Sequence, residues 1–379
     1  MKSLFKIAII TLVTLITSFC KNPTSDTEPN GDNQASNRKL MLTHLADEIV
    51  IPSYAKFKTK LDSFNIQINT FADSPNESNL IALRNSWIHT YNEWQKVELF
   101  DFGPANSISL RRFINIYPAN PTTIRENILN KDANLEFSSN ETAQGFPAFD
   151  YLINGYANTD AEIVTLYASN SDTIAPKRIA YLKKIAAQMT NKFNQTYTTW
   201  TSSYRNNFIS NSSISIDGST SQMINGFILN YERYIRSGKI GIPSAALMGT
   251  KNPLLVEAFY KKDISKKLAL TAHQASVDFF NGKSVKTGIE GFSIKSYLNG
   301  IDAKDSKTGK LLTETLNEQF NIVNSKLNGL SDNFSDIVTN DNQKLIDTHD
   351  QFQVAVRMLK VDMTSAMSII INYADGDGD

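Results

Sequence analysis

The chain has 379 residues, with 38 Lys and Arg against 38 Asp and Glu, and so carries no formal net charge. That balance excludes a nucleic-acid binder, whose phosphate contacts need a basic surplus. Apolar residues make up 41%, enough to bury a large core, and a lone cysteine excludes intrachain disulfides and thiolate metal clusters.

The first element in chain order is a secretory signal. Lys2 and Lys6 precede a short apolar run, Ile7 to Ile16, and Thr17-Ser18-Phe19-Cys20 follows. The run is shorter than the roughly 20 residues of a spanning helix. Residues 1–19 are therefore expected to be removed, and Cys20 to carry a lipid. The alternative is an ordinary signal peptide with an incidental cysteine. Residues 20–38, rich in Asn, Asp, Thr, Ser and Pro, read as a flexible tether. The expected location is the cell envelope: an exported, periplasm-facing lipoprotein of the outer membrane.

Helical periodicity dominates the rest. Leu42, Leu45, Ile49, Tyr54, Phe57, Leu61 and Phe64 mark a first helix, bent at Pro52. Leu80, Leu83, Trp87, Tyr91 and Trp94 stripe a second, expected to stop at Gly103-Pro104. Phe146, Phe149 and Ile153 make a short helical pattern, and a long helix runs from Pro176 to Phe208. After a polar break, Ser210 to Ser221, helices are expected over 223–236, 264–280, 311–330 and 342–373, with 240–260 irregular. Apolar stripes of this kind bury against one another. The expected fold is all-α: two helical bundles, 39–210 and 211–379, with a few irregular segments.

No HExxH helix, nucleophile elbow, P-loop or dinucleotide-binding glycine motif occurs. The i,i+4 pairs His44/Glu48 and His89/Glu93 point away from their own stripes and read as solvated. His273 lies on a helix apolar on more than one side. His349 falls inside the stripe of Leu345, Phe352 and Val356 and is a candidate for function, although a buried histidine is more often a hydrogen-bonded core residue. Glu98 lies about 20° around the helix from Trp87 if the helix reaches that far, and an ionised carboxylate there needs a partner. Asp150 raises the same question. The end, Asp375-Gly-Asp-Gly-Asp379, reads as a solvated acidic tail rather than a calcium loop.

Four segments together resemble the imelysin family, also called the M75 peptidase family. Trp94-Gln-Lys-Val-Glu98-Leu-Phe-Asp-Phe-Gly103-Pro104 is similar to that family's W-x-x-x-E-x-F-x-F-G-P stretch. Gly145-Phe-Pro147-Ala-Phe-Asp150 stands where the family has G-x-H-x-x-E, with Pro147 at the histidine position and Asp150 at the glutamate position. Lys239-Ile-Gly-Ile-Pro243 and Val256-Glu257-Ala258 resemble segments of imelysin-like lipoproteins of the Bacteroidetes type, and the likeness covers about residues 40 to 372.

The resemblance implies an exported all-helical protein tied to iron uptake, with an iron or other divalent ion as the implied cofactor. Proline cannot ligate a metal, so peptidase chemistry loses its histidine. The leading expectation is a non-peptidase lipoprotein that binds a metal or small ligand between its bundles. Glu98, Asp150 and His349 are the candidate ligand residues, and Gly103 and Gly145 the turn residues. The alternatives are a metallopeptidase and an accessory partner of an outer-membrane transporter. The membrane, through Cys20, and a metal-uptake transporter are the expected partners.

Overall fold

The computed structural model describes residues 31–168, 172–247 and 249–374. The signal segment, Cys20 and the acidic end from Asp375 to Asp379 lie outside these residues. The chain is all-α: among the described residues only two isolated bridges, Lys283 with Glu290 and Lys304 with Leu311, have strand-like pairing. No described helix is long and apolar enough to cross a membrane.

Helix α1 (Gly31–His44) begins inside the stretch read as tether and passes through a π-helical turn, Leu45–Val50, into α2 (Ile51–Asp73). The interruption has a local cause. Pro52 has no N–H to give the Glu48 carbonyl four residues back, and that carbonyl instead accepts from the Val285 N–H at 2.9 Å. The bend read at Pro52 thus becomes a point of attachment for a distant loop. Helix α3 (Glu77–Trp94) is capped by Asn76, whose side chain accepts from the Asn79 N–H at 2.9 Å, and it buries the whole Leu80–Trp94 stripe.

That helix does not reach Gly103-Pro104. It ends at Trp94, and residues 95–99 form a turn. Short helices α4 (Leu110–Ile114) and α5 (Gly145–Asp150) follow, then the long α6 (Ala175–Thr199), which continues through a π-helical turn, Trp200–Tyr204, to Ser210. Helix α7 (Ser219–Leu229) runs into twelve π-helical residues, Asn230–Gly241. Such stretches are uncommon and are found preferentially at functional sites. Helices α8 (Ser265–Asn281), α9 (Leu312–Asn328) and α10 (Gln343–Arg357) complete the second half.

The helix expected to run to Tyr373 ends at Met367, where Ser368 turns into the left-handed region at φ 55°. The following segment is held on α7 and beyond. Asn225 donates to the Ile370 carbonyl and accepts from the Asn372 N–H, both at 3.0 Å, and the Tyr373 hydroxyl donates to Glu232 at 2.7 Å.

Buried apolar side chains from Met41 to Ile369 form one contiguous cluster. Aromatic rings dominate it in the first half. Tyr91 stacks on Phe146 at 4.5 Å and Phe57 meets Phe193 edge-on at 4.7 Å; such pairs add about 0.5–1.5 kcal/mol beyond area burial. His44 and Glu48 are not a solvated pair. His44 Nε2 lies 2.8 Å from the Gly282 carbonyl, and Glu48 accepts from Ser284 at 2.7 Å and Lys286 at 2.9 Å. His89 is exposed, while Glu93 is buried against Lys96 at 2.9 Å.

Candidate functional site

The turn after α3 delivers Glu98 to the interior, although by a different route from a continuing helix. Glu98 is 3% exposed. Its Oε1 accepts from Arg111 Nε at 2.9 Å and from Asn115 Nδ2 at 3.1 Å. The other hydrogen of that amide goes to Glu257 Oε1 at 2.9 Å, so Asn115 stands between two carboxylates. Glu257 is also reached by the Tyr91 hydroxyl at 3.0 Å, by Gln95 Nε2 at 3.2 Å and by the ammonium of Lys239. Lys239 donates again to Gln95 Oε1 at 2.7 Å, and the Arg111 guanidinium lies 3.8 Å over the ring of Tyr234.

Two carboxylates and two cations make this cluster neutral, which is how so many charges can be buried together. Tyr91, Gln95, Glu98, Arg111 and Asn115 come from the first half of the chain, and Tyr234, Lys239 and Glu257 from the second. The π-helical stretch Asn230–Gly241 carries two of the latter group. Burial acts to raise the Glu257 carboxyl, but Lys239, Asn115 and Tyr91 outweigh it and hold it below the usual range.

Asp150 joins the same region from another side. Its Oδ2 accepts from the Tyr260 N–H and its Oδ1 from the Lys261 N–H, both at 2.9 Å, with Asn154 Nδ2 at 3.0 Å. Burial is the larger influence and raises Asp150 to about 7 despite these three donors. The segment that holds Asp150 therefore begins three residues after Glu257. Gly145, at φ 70°, starts α5. A Cβ there would sit 2.3 Å from the Ile114 carbonyl oxygen, one residue before Asn115, so glycine is required.

Beside Asp150 lies a pocket of about 240 Å³, walled by Tyr117, Pro147, Asp150, Val256 and Tyr260. The Tyr117 hydroxyl is buried and has no hydrogen-bond partner among the described residues. Glu257 and Glu98 add to burial in pushing this phenol well above its usual range, against the pull of Arg111, so it is a neutral donor at ordinary pH.

Glu98 and Asp150, paired as candidates from the sequence, share no hydrogen-bond partner. Glu98 faces the ionic cluster and Asp150 the backbone of 260–261. His349 is elsewhere, buried on α10, with Nδ1 3.4 Å from Asp350 and its ring against Gly241. His273 is a core residue bonded to the Tyr231 hydroxyl and the Phe320 carbonyl, both at 3.0 Å; burial lowers it to about 4, so it stays neutral. Gly103, at φ 54°, packs beneath Tyr204, and Pro104 opens the next turn.

Among the described residues no three His, Cys, Asp or Glu side chains converge as a metal-holding group. Pro147 supplies no ligand, and the carboxylates present are taken up by N–H and cationic donors. The residues in place do not fit a metal ion caged by the protein.

Lys239 and Glu257 stand in segments that the resemblance picks out, but nothing in their spacing gives them a role. Arg111, Asn115 and Tyr117 carry no sequence signal beyond their clustering, and Tyr91 reads as core.

The chain is 21% identical over 243 residues to iron-regulated protein A of Synechococcus elongatus, spanning 62% of this chain and 62% of that relative's length. An imelysin-like protein from Psychrobacter arcticum shares the fold with a TM-score of 0.67 at 18% identity, over 89% of this chain and 98% of the other. An iron-regulated protein A precursor from Parabacteroides distasonis does so at 0.69 and 17%, over 90% and 97%. The model of the imelysin family, Peptidase_M75, matches residues 50–356. On that match, over most of its length, the chain belongs to the imelysin family.

Proposed function

We propose that this protein is an exported, lipid-anchored accessory of iron acquisition that binds a small ligand in the Tyr117–Asp150 pocket and does no peptide hydrolysis. The names of two relatives, both iron-regulated proteins and one a precursor, support the iron-related role and export. The N-terminal signal and Cys20 support an anchor on the periplasmic face of the outer membrane, beside an uptake transporter.

One observation carries the site. Tyr117, whose buried hydroxyl has no partner among the described residues, and Asp150, a carboxyl raised to about 7, line one and the same cavity. The charged cluster behind it is internally neutral and saturated, and it holds the walls rather than reacting. The proline at position 147 leaves no imidazole to act as base there.

The test is calorimetry with ferric citrate on protein purified without chelators, together with a casein hydrolysis assay. Saturable binding, weakened at least about tenfold in Tyr117→Phe or Asp150→Ala and without casein cleavage, is the expected outcome. No heat with the unaltered chain, or hydrolysis that survives purification to homogeneity, would overturn it.

A further inference from the structure

Two turns in the second half of the chain are copies of one another. Lys283-Ser-Val-Lys286-Thr-Gly288 joins α8 to the short helix Ile294–Gly300, and Lys304-Asp-Ser-Lys307-Thr-Gly309 joins that helix to α9. Each is pinned by one isolated bridge, Lys283 with Glu290 and Lys304 with Leu311. The backbone repeats too. The Ser284 N–H donates to the Ile289 carbonyl at 2.9 Å and the Asp305 N–H to that of Lys310 at 3.0 Å. Gly288 and Gly309, at φ 74° and 70°, donate back to the Ser284 and Asp305 carbonyls at 2.8 and 2.9 Å. In both turns the side chain of Ser284 or Asp305 accepts from the N–H groups two and three residues on.

The first copy shows what such a turn holds. It clasps the π-helical turn before α2: the Val285 N–H donates to the Glu48 carbonyl that Pro52 leaves unpaired. The Glu48 carboxylate accepts from Ser284 at 2.7 Å and Lys286 at 2.9 Å. One turn thus reads the carboxylate and the backbone carbonyl of a single residue. In the second copy, Ser306 stands at the Val285 position and Lys307 at the Lys286 position, both exposed. Neither the Ser306 N–H nor the Lys307 ammonium has an acceptor among the described residues. Asp305 is buried and its Oδ1 is taken up by Lys307 and Thr308 of its own turn. Lys304 and Lys310 add positive charge beside it, paired with Asp302 at 2.7 Å and Glu318 at 3.3 Å.

We propose that the second turn docks a helix of another protein, one that carries a glutamate four residues before a proline, as Glu48 stands before Pro52. Lys307 pairs with the carboxylate, and the Ser306 N–H takes the carbonyl that the proline frees. The Ser306 hydroxyl is the donor that replaces Ser284. A helix without the proline spends that carbonyl on its own N–H, and glutamine in place of the glutamate loses the ion pair. Because the turn is exposed, the docking is weak and salt-dependent. The turn shares no residue with the Tyr117–Asp150 pocket, so the proposal is independent of ligand binding there.

The experiment follows the fluorescence anisotropy of a labelled alanine- and glutamine-rich helical peptide with a central Glu-Ala-Ala-Ala-Pro, titrated with the full mature chain at low salt. Saturable binding is expected, with a dissociation constant of about 0.5 mM or tighter. Replacing the peptide's glutamate by glutamine, or its proline by alanine, should weaken binding at least about fivefold, as should Lys307→Gln in the protein. Lys286→Gln, in the copy that already holds Glu48, should leave the affinity unchanged, and both variants should melt cooperatively. No saturable binding overturns the proposal. So does equal affinity for either altered peptide, unchanged affinity in Lys307→Gln, or an equal loss in Lys286→Gln. Displacement of the peptide by phosphatidylglycerol vesicles also overturns it, and would make the turn a membrane contact.

Discussion

Lys239 and Glu257, eighteen positions apart, form a sealed ion pair at the centre of the molecule, each about 2% exposed. Their remaining hydrogen bonds go to Gln95, Asn115 and Tyr91 from the other half of the chain. Removing one partner leaves a buried charge with no counter-ion. Lys239→Met or Glu257→Gln alone should cost about 3–5 kcal/mol in urea unfolding, and the double variant much less than the sum. A single-variant loss below about 1 kcal/mol would show that the pair is not buried as described.

Tyr117 presents the opposite case, a buried hydroxyl that bonds nothing among the described residues. Tyr117→Phe should stabilise the fold by about 1 kcal/mol, because an unpaired polar group is removed, while weakening the pocket's ligand. Opposite signs in melting temperature and affinity are the signature to look for. A destabilised variant would mean the hydroxyl does have a partner.

Gly145→Ala places a methyl group 2.3 Å from the Ile114 carbonyl at a positive φ. Left-handed strain alone costs about 1–3 kcal/mol, and the clash adds to it. Denaturant unfolding should show a loss of about 3 kcal/mol or more, against about 1–3 kcal/mol for alanine at Gly288, which shares the positive φ but has open space around it; the difference isolates the contact.

Asp150 gives a pH dependence whose sign can be worked out. Its folded value, about 7, lies above the ordinary 3.8, so between these values the folded chain holds a proton that the unfolded chain releases. The contribution of this group to stability is therefore full at the acid end and lost as pH rises through about 7. Asp101, raised to about 6 by burial and by Glu98 against Arg111, acts in the same direction. The melting temperature of the unaltered chain, measured relative to Asp150→Asn, should fall steadily from pH 5 to 7.5. A flat or rising difference would contradict the buried carboxyl.

The 3.6-residue stripes by themselves determined that the described chain is all-α and where its long helices run, and four short motifs carried the resemblance to the family. Stripes such as Leu80–Trp94 and Leu345–Val356 are legible because burial on one face is a local periodic property. The motif also showed, from Pro147 alone, that the family's histidine is missing. Where helices end was less legible. Trp94 and Met367 terminate theirs because the next residues find better partners in distant segments, which no local pattern encodes. Only the tertiary structure decided which charges meet. Glu98 pairs with Arg111 and Asn115 rather than Asp150, and Glu257 with Lys239, because the turn at 95–99 and the π-helical stretch bring both halves to one point. Charge pairing across long loops depends on three-dimensional position, and a side chain's identity says only that it needs a partner, not which one.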